Sequence, residues 1–299
     1  MATKVINTSE IEGIKPFLKK LSIPTRDSHK GQNGKILVIG GSSLFHSASI
    51  WAAEIASYIV DMVFYSSVEE NNEIVREAKT KFHNGIVVRQ VDIEHYIEEA
   101  DSILIGPGMM RSVGPLKPTE DYNLKDLGEL SQIEHEGVQT YYLTKYILKK
   151  YPKKKFVLDA GALQMMKPDW LLKLSQHAIL TPHKEEFVKL FGKDSIEDCA
   201  KKYHCTILNK GKDDVIANNA QIFTVQGGNQ GLTKGGTGDL LAGLAAALYA
   251  KNDSMTAAIL ASFLLKKSAD RLQLTKGYWY NVTDLIDEIP KMLTEISNL

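Results

Sequence analysis

A chain of 299 residues with 43% hydrophobic and 24% charged residues has ordinary globular composition, so it can bury a sizeable core and intrinsic disorder is excluded. Thirty-six Lys and Arg balance thirty-six Asp and Glu, and a net charge of zero gives no general electrostatic footprint for nucleic acid or an anionic membrane. Neither a secretory signal nor a bilayer span is found: the N-terminus lacks an apolar segment, and the longest aliphatic stretch, Leu240 to Ala250, is far shorter than the roughly 20 residues needed.

Along the chain, short runs rich in Val, Ile and Leu predict buried strands at Lys35 to Ile39, Met62 to Tyr65, Ile86 to Val91, Ser102 to Ile105, Phe156 to Leu158, Ala178 to Leu180 and Thr206 to Leu208. Their apolar character is continuous, and helices such as Ala48 to Ile59 and Tyr141 to Lys150 separate them. An α/β fold follows, with a mainly parallel sheet covered by helices on both faces and ligands gathered at the carboxyl ends of the strands. Residues 109–137 carry scattered Pro, Gly and charge with little periodicity, which predicts a long loop of functional or mobile character. The run Lys149-Lys150-Tyr151-Pro152-Lys153-Lys154-Lys155 reads as a solvated helix end leading into a strand and is assigned no role.

Cys199 and Cys205, expected on a helix and then a strand, fit neither a disulfide framework nor a metal-binding pair, so a reduced, cytoplasmic setting is expected. Val215 to Ala217 and Gln221 to Val225 flank Asn218-Asn219 and predict a hairpin on the sheet edge. Leu240 to Ala250 and Met255 to Asp270 are apolar enough to be buried helices, and one more helix is expected from Val282. One domain over 1–299 is expected, with an N-terminal extension over about residues 1–24 and the first strand near Lys35.

The chemistry is expected where glycine concentrates. Gly227, Gly228, Gly231, Gly235, Gly236, Gly238 and Gly243 place seven of the twenty-two glycines in seventeen residues, and the cluster runs into the apolar helix beginning near Asp239. Backbone N–H groups freed of side chains can approach a ligand closely there. Unpaired amides and the positive end of a helix dipole then suit a phosphate bound by Gly235, Gly236, Thr237 and Gly238. Asp239, in the first helical turn, is placed to accept a hydroxyl proton from an attacking alcohol; the alternative is an acid that merely favours a helix start. Neither a Walker A loop nor G-x-G-x-x-G occurs: Gly31-Gln32-Asn33-Gly34-Lys35-Ile36 has the wrong spacing, and Gly40-Gly41-Ser42-Ser43 follows the first predicted strand.

His29-Lys30-Gly31 before GKILVIGGS, Ile105-Gly106-Pro107-Gly108, Leu158-Asp159-Ala160, Leu180-Thr181-Pro182-His183, Leu208-Asn209-Lys210-Gly211 and Asn229-Gln230-Gly231-Leu232-Thr233-Lys234 before GGTGD occur in one order. In this set, spanning about residues 25–270, the chain resembles the NAD(P)H-hydrate dehydratases of the ribokinase-like group. The resemblance implies a ribokinase-like three-layer sandwich. It also implies repair of damaged nicotinamide cofactor: the C6 hydroxyl of NAD(P)H hydrate is phosphorylated from ADP or ATP, and loss of phosphate regenerates NAD(P)H. By the same resemblance Asp239 acts at the substrate hydroxyl, with Gly238 before it touching the nucleotide. The nucleotide segment falls on Lys210, Gly211, Lys212, Asp213 and Asp214, and substrate contacts fall on Ala48, Gly108 and His183. Mg²⁺ is expected from phosphoryl transfer itself, with Glu186 orienting it through water.

For His183 the competing reading is a turn or capping residue, and for Glu186 an acid drawn to a helix start. The substrate side departs from the family pattern: His46-Ser47-Ala48 stands for Ser-Gly-Ala, Met109-Met110 follows Gly-Pro-Gly, Gly161 occupies the place of a second Asp, and Lys184-Glu185 follows His183. No epimerase domain is expected before the first strand. Two other functions remain open, a small-molecule kinase acting on a sugar or a hydroxyethylthiazole-type alcohol, and a silent nucleotide-binding protein. No nucleic-acid or membrane partner is expected, and a homo-oligomer is left open.

Overall fold

A strand buried on both faces needs no polar alternation, and the continuous apolar runs do form strands. The computed structural model describes residues 3–77, 83–112, 118–119, 122–174 and 178–298. Its strands are β1 (Lys4–Asn7), β2 (Lys35–Ile39), β3 (Met62–Ser66), β4 (Gly85–Val87), β5 (Ser102–Ile105), β6 (Lys155–Leu158), β7 (Ala178–Leu180), β8 (Thr206–Asn209), β9 (Asp214–Ala217) and β10 (Ile222–Gln226). They form one sheet in the order β1-β10-β9-β8-β7-β6-β5-β2-β3-β4. All neighbours are parallel except β9, which runs antiparallel to both β8 and β10.

The helices are α1 (Lys15–Leu18), α2 (Ser47–Ser57), α3 (Glu69–Glu77), α4 (Ile93–Glu99), α5 (Glu136–Lys150), α6 (Ala160–Met165), α7 (Lys184–Phe191), α8 (Ile196–Lys202), α9 (Thr237–Lys251), α10 (Ser254–Lys276) and α11 (Val282–Ser297). Alternate residues of each strand feed opposite faces of the sheet. Ile36 and Val38 of β2 join a core built with α2, α9, α10 and α11, whereas Leu37 and Ile39 join a second core with α4, α5 and α6. Two cores around one sheet make three layers, the ribokinase-like α/β arrangement. Among the described residues no helix is long and apolar enough to cross a membrane.

Strand β2 lies between β3 and β5, so the chain passes to one side of β2 and later returns on the other. That reversal opens a crevice above the strand ends, where the turns after β2, β5, β6, β7 and β8 meet.

Several expectations are corrected. The first strand is β1, not Lys35 to Ile39. It is short and lies at the sheet edge, and only Ile6 of it is buried, so its apolar pattern is weak. Because β1 pairs with β10, the β9–β10 hairpin is one strand in from the edge. The segment Ile86 to Val91 forms only a three-residue strand, followed by a 3₁₀ turn at Gln90–Asp92. Within 109–137, Leu127–Gln132 is 3₁₀ helix and α5 begins at Glu136, where the His135 ring nitrogen accepts the Gly137 amide; residues 113–117 and 120–121 of that stretch lie outside the described residues. The lysine run is largely engaged. Lys155 Nζ donates to the Tyr249 and Asn252 carbonyls at 2.9 and 3.1 Å, at the carboxyl end of α9, and Lys154 Nζ to those of Glu98 and Ala100.

Candidate functional site

The strand-end turns bring together four charged side chains that are far apart in sequence. Asp159 directly follows β6 and is 1% exposed; its Oδ1 accepts from Lys210 Nζ and from Thr181 Oγ1, each at 2.8 Å. Lys210 follows β8, and its backbone bridges to His183 after β7. Burial works against the Lys210 charge, but the carboxylates of Asp159 and Glu186 outweigh it and hold the ammonium above the usual lysine range. Asp239, in the first turn of α9, is electrostatically linked to Lys210, Asp159 and Glu186. Burial, then the negative charge of Asp159, pushes its carboxyl up to about 7, with Lys210 pulling the other way. Three acids face one lysine, and burial raises both Asp159 and Asp239; at Asp239 a carboxyl near 7 can exchange a proton at neutral pH.

Beside this cluster lies a cleft of about 500 Å³, bounded by the loop after β8, by Gly227 and Gly228, and by the start of α9, with Leu232, Leu241 and Leu265 giving it an apolar wall. Of the residues expected to hold a nucleotide, Lys210, Gly211, Lys212, Asp214, Thr237 and Gly238 line it; Asp213, Gly235 and Gly236 are outside its lining. Gly236 is the N-cap of α9 with φ +95°, a left-handed conformation that favours glycine, and any Cβ there would run into the Trp51 ring. The amides of Gly236 and Gly238 have no backbone acceptor among the described residues, as an anion site at a helix start requires. Thr237 is different: its hydroxyl donates to the carbonyls of Leu232 and Lys234 at 2.8 and 3.0 Å, so it braces the preceding turn. A Cβ on Gly238 would stand 3.3 Å from Lys210 Nζ, which places the lysine ammonium against the helix start.

On the substrate side, Ala48 at the start of α2 packs against Gly108 after β5; a Cβ on Gly108 would lie 3.0 Å from that of Ala48. His183 is the N-cap of α7. Its Nδ1 accepts the amides of Glu185 and Glu186 at 3.1 and 3.4 Å, and Glu186 Oε2 accepts the His183 amide at 3.0 Å, closing a reciprocal capping box. The capping geometry is thus present at both residues. Glu186 Oε1 also accepts from Gln164 Nε2 at 2.9 Å, leaving each carboxylate oxygen with spare lone-pair capacity. The Gly161 departure has a steric cause, since any side chain there would collide with the Met109 carbonyl. Ser47 and Lys184 open α2 and α7 respectively. Met110 lies with Met109 beside Gly40 and Gly41 at a small neighbouring recess.

From the sequence Asp159 was quoted within a motif but given no role, and Lys266 was not singled out. Asp159 had a usable signal, an acid directly after a wholly apolar strand in a parallel sheet. Lys266 had none, because it lies inside a long apolar helix.

A family model described as NAD(P)H-hydrate dehydratase matches residues 36–291. The bifunctional NAD(P)H-hydrate repair enzyme of Methanocaldococcus jannaschii is 35% identical over 92% of this chain and 51% of its own length, so the chain spans about half of that relative. The ADP-dependent (S)-NAD(P)H-hydrate dehydratase of Nitrosopumilus maritimus is 30% identical over 98% of both chains. Among solved structures, a ribokinase-like superfamily protein of Enterococcus faecalis superimposes with a TM-score of 0.78 at 20% identity, covering 98% of this chain and 96% of that one. The Bacillus subtilis ADP/ATP-dependent NAD(P)H-hydrate dehydratase co-crystallized with ATP/Mg²⁺ gives 0.69 at 21% identity, covering 95% and 97%. At those identities the structural likeness carries the fold alone.

Proposed function

The chain belongs to the NAD(P)H-hydrate dehydratase family, and from that membership we propose that it restores NAD(P)H from its hydrate by phosphorylating the C6 hydroxyl from ADP or ATP and eliminating phosphate. The observation that carries this reading is the position of Asp239, a half-buried carboxyl raised to about 7, one residue beyond the glycine that lines the anion cleft. It takes the C6 hydroxyl proton as the oxygen attacks the terminal phosphorus and the bond from that phosphorus to the bridging oxygen of the donor breaks; phosphate then leaves C6 with the C6–O bond electrons while C5 gives up a proton to solvent, which forms the C5=C6 double bond. The amides of Gly236 and Gly238 face the transferred group, with Gly235 and Thr237 fixing the turn that presents them. Lys210, Gly211, Lys212, Asp213 and Asp214 form the loop over the nucleotide. Ala48, Gly108 and His183 border the hydrated ring.

Mg²⁺ fits this site as an ion held through phosphates and water. Among the described residues no three His, Cys, Asp or Glu side chains, the acids around Lys210 included, are placed to hold a metal ion directly, and Mg²⁺ keeps most of its waters when protein ligands are few. When bound, it neutralises charge on the transferring phosphates. Glu186, with lone pairs left beyond its capping bonds, would orient one of its waters. Two unpaired, buried cysteines fit a reducing, cytoplasmic setting.

The test is recovery of reduced-nicotinamide absorbance when the protein is incubated with NADH hydrate and either nucleotide. Recovery that requires ADP or ATP supports the reading. Failure to recover, together with phosphoryl transfer to a sugar or to hydroxyethylthiazole, would replace it with a small-molecule kinase.

A further inference from the structure

A lysine in an anion cleft is ordinarily read as a phosphate ligand. Lys266 of α10 lines the cleft and is 3% exposed, yet its ammonium points into the protein. Nζ lies 2.7 Å from the Lys212 carbonyl, 3.2 Å from the Gly211 carbonyl and 3.5 Å from Asp214 Oδ1. An ammonium has three N–H donors, and three protein oxygens surround this one. Its hydrocarbon stem forms cleft wall: a Cβ on Gly228 would sit 3.2 Å from Lys266 Cγ.

Asp214 completes the arrangement. Its Oδ1 accepts the Gly211 amide at 2.9 Å and its Oδ2 accepts from Ser262 Oγ at 2.7 Å. Ser262, one turn before Lys266 on α10, is fully buried and is not part of the cleft lining. Two side chains of one helix therefore grip the loop after β8 at both ends, one through a carboxylate and one through carbonyls. The described peptide bonds are all trans. Carbonyls of Gly211 and Lys212 turned toward Lys266 force the N–H groups of Lys212 and Asp213 to point the opposite way. Neither amide has a backbone acceptor among the described residues.

We infer that Lys266, with Asp214 and Ser262, is a positioning device that presents the amides of Lys212 and Asp213 to the donor nucleotide, and that Lys266 does not itself bind phosphate. This rests on the nucleotide-dependent reading above. The loop otherwise carries Gly211 and three charged residues, a composition with no intrinsic preference for the presented conformation, and α10 supplies the rigid support.

The test uses the full chain, with Kd for ADP and ATP, nucleotide KM and kcat in the NADH-hydrate assay, and unfolding temperature without nucleotide. Lys266→Met keeps the stem and removes the ammonium, and nucleotide Kd and KM are expected to rise about tenfold or more, with a smaller fall in kcat at saturation. Ser262→Ala, remote from any ligand, is expected to raise the same constants several-fold. The double variant should be little worse than Lys266→Met, because residues acting through one loop are not additive. A silent Ser262→Ala beside an impaired Lys266→Met would make Lys266 a direct ligand and overturn the inference. So would variants that lower the unfolding temperature and leave nucleotide Kd unchanged. Absence of ADP and ATP binding in the unaltered protein would instead overturn the functional reading, and the inference with it.

Discussion

Replacing Asp239 by asparagine should stabilise the free protein at alkaline pH while removing its activity. The ordinary aspartate carboxyl titrates at 3.8, and in the fold burial and the neighbouring Asp159 push Asp239 up to about 7. Between those values the folded state keeps a proton that the unfolded chain has released. Stability is therefore complete below the unfolded pKa and falls as pH rises through the folded one. Three units at about 1.4 kcal/mol each bound the loss at roughly 4 kcal/mol, and sharing of the charge with Asp159 and Lys210 brings the expectation to about 2–4 kcal/mol. The substituted amide has no charge to force into the site and escapes this loss. Urea unfolding of both proteins without nucleotide should give similar midpoints near pH 4.5 and a higher midpoint for Asp239→Asn at pH 8.5. In the same variant turnover should fall by about 10²–10⁴, and the rising limb of the pH–rate profile near 7 should disappear. Equal stabilities at pH 8.5, or an active variant, would refute the argument that this carboxyl is raised in the fold and takes the substrate proton.

Lys210→Met removes the counter-charge of Asp159, and breaking a buried pair from one side costs about 3–5 kcal/mol; the urea midpoint should fall accordingly, and any residual pH–rate limb should move to higher pH because Lys210 no longer lowers the Asp239 pKa. Gly236→Ala forces a side chain into a left-handed position and onto Trp51, so about 1–3 kcal/mol should be lost, seen as a fall of several degrees in unfolding temperature with nucleotide binding weakened. Burial pushes the Cys199 thiol up to about 11 and Cys205 higher still. Neither should react with an aromatic disulfide reagent at pH 8 until the chain is unfolded, and rapid labelling of the native protein would contradict their placement.

The layers of the fold were legible because strands buried on both faces leave continuous apolar runs, and β2, β5 and β7 begin and end where those runs do. The glycine cluster marked the start of α9 for a similar reason, since a left-handed N-cap and close backbone approach leave glycine in the sequence. Strand β1 was not legible. Its position beside β10 depends on pairing between chain ends, and three of its four residues are not buried. The charged cluster was legible only in part. Asp159 and Lys210 are 51 positions apart, and only the parallel order of β6, β7 and β8 makes them neighbours, a fact that no local pattern carries. Lys266 illustrates the limit from the other side. In sequence it is a cation among leucines on a helix, and the role inferred for it depends on two backbone carbonyls about 55 residues away.

The same long-range assembly explains how Asp239, in its proposed role, would accept a proton at neutral pH without a dedicated histidine. An isolated carboxylate at the amino end of a helix would be drawn to lower pKa by the dipole and would be a weak base. At Asp239 that pull is outweighed by burial and by a second acid fixed on β6, while Lys210, held by that second acid, keeps the shift from running further. Moving Asp159 out of reach would lower the Asp239 carboxyl, with burial, the larger cause, still holding it above its ordinary value, and losing Lys210 would raise it further. Three strand ends and one helix start therefore set the proton affinity together, and a carboxyl near 7, as the proposed base role requires, follows from where the sheet places them.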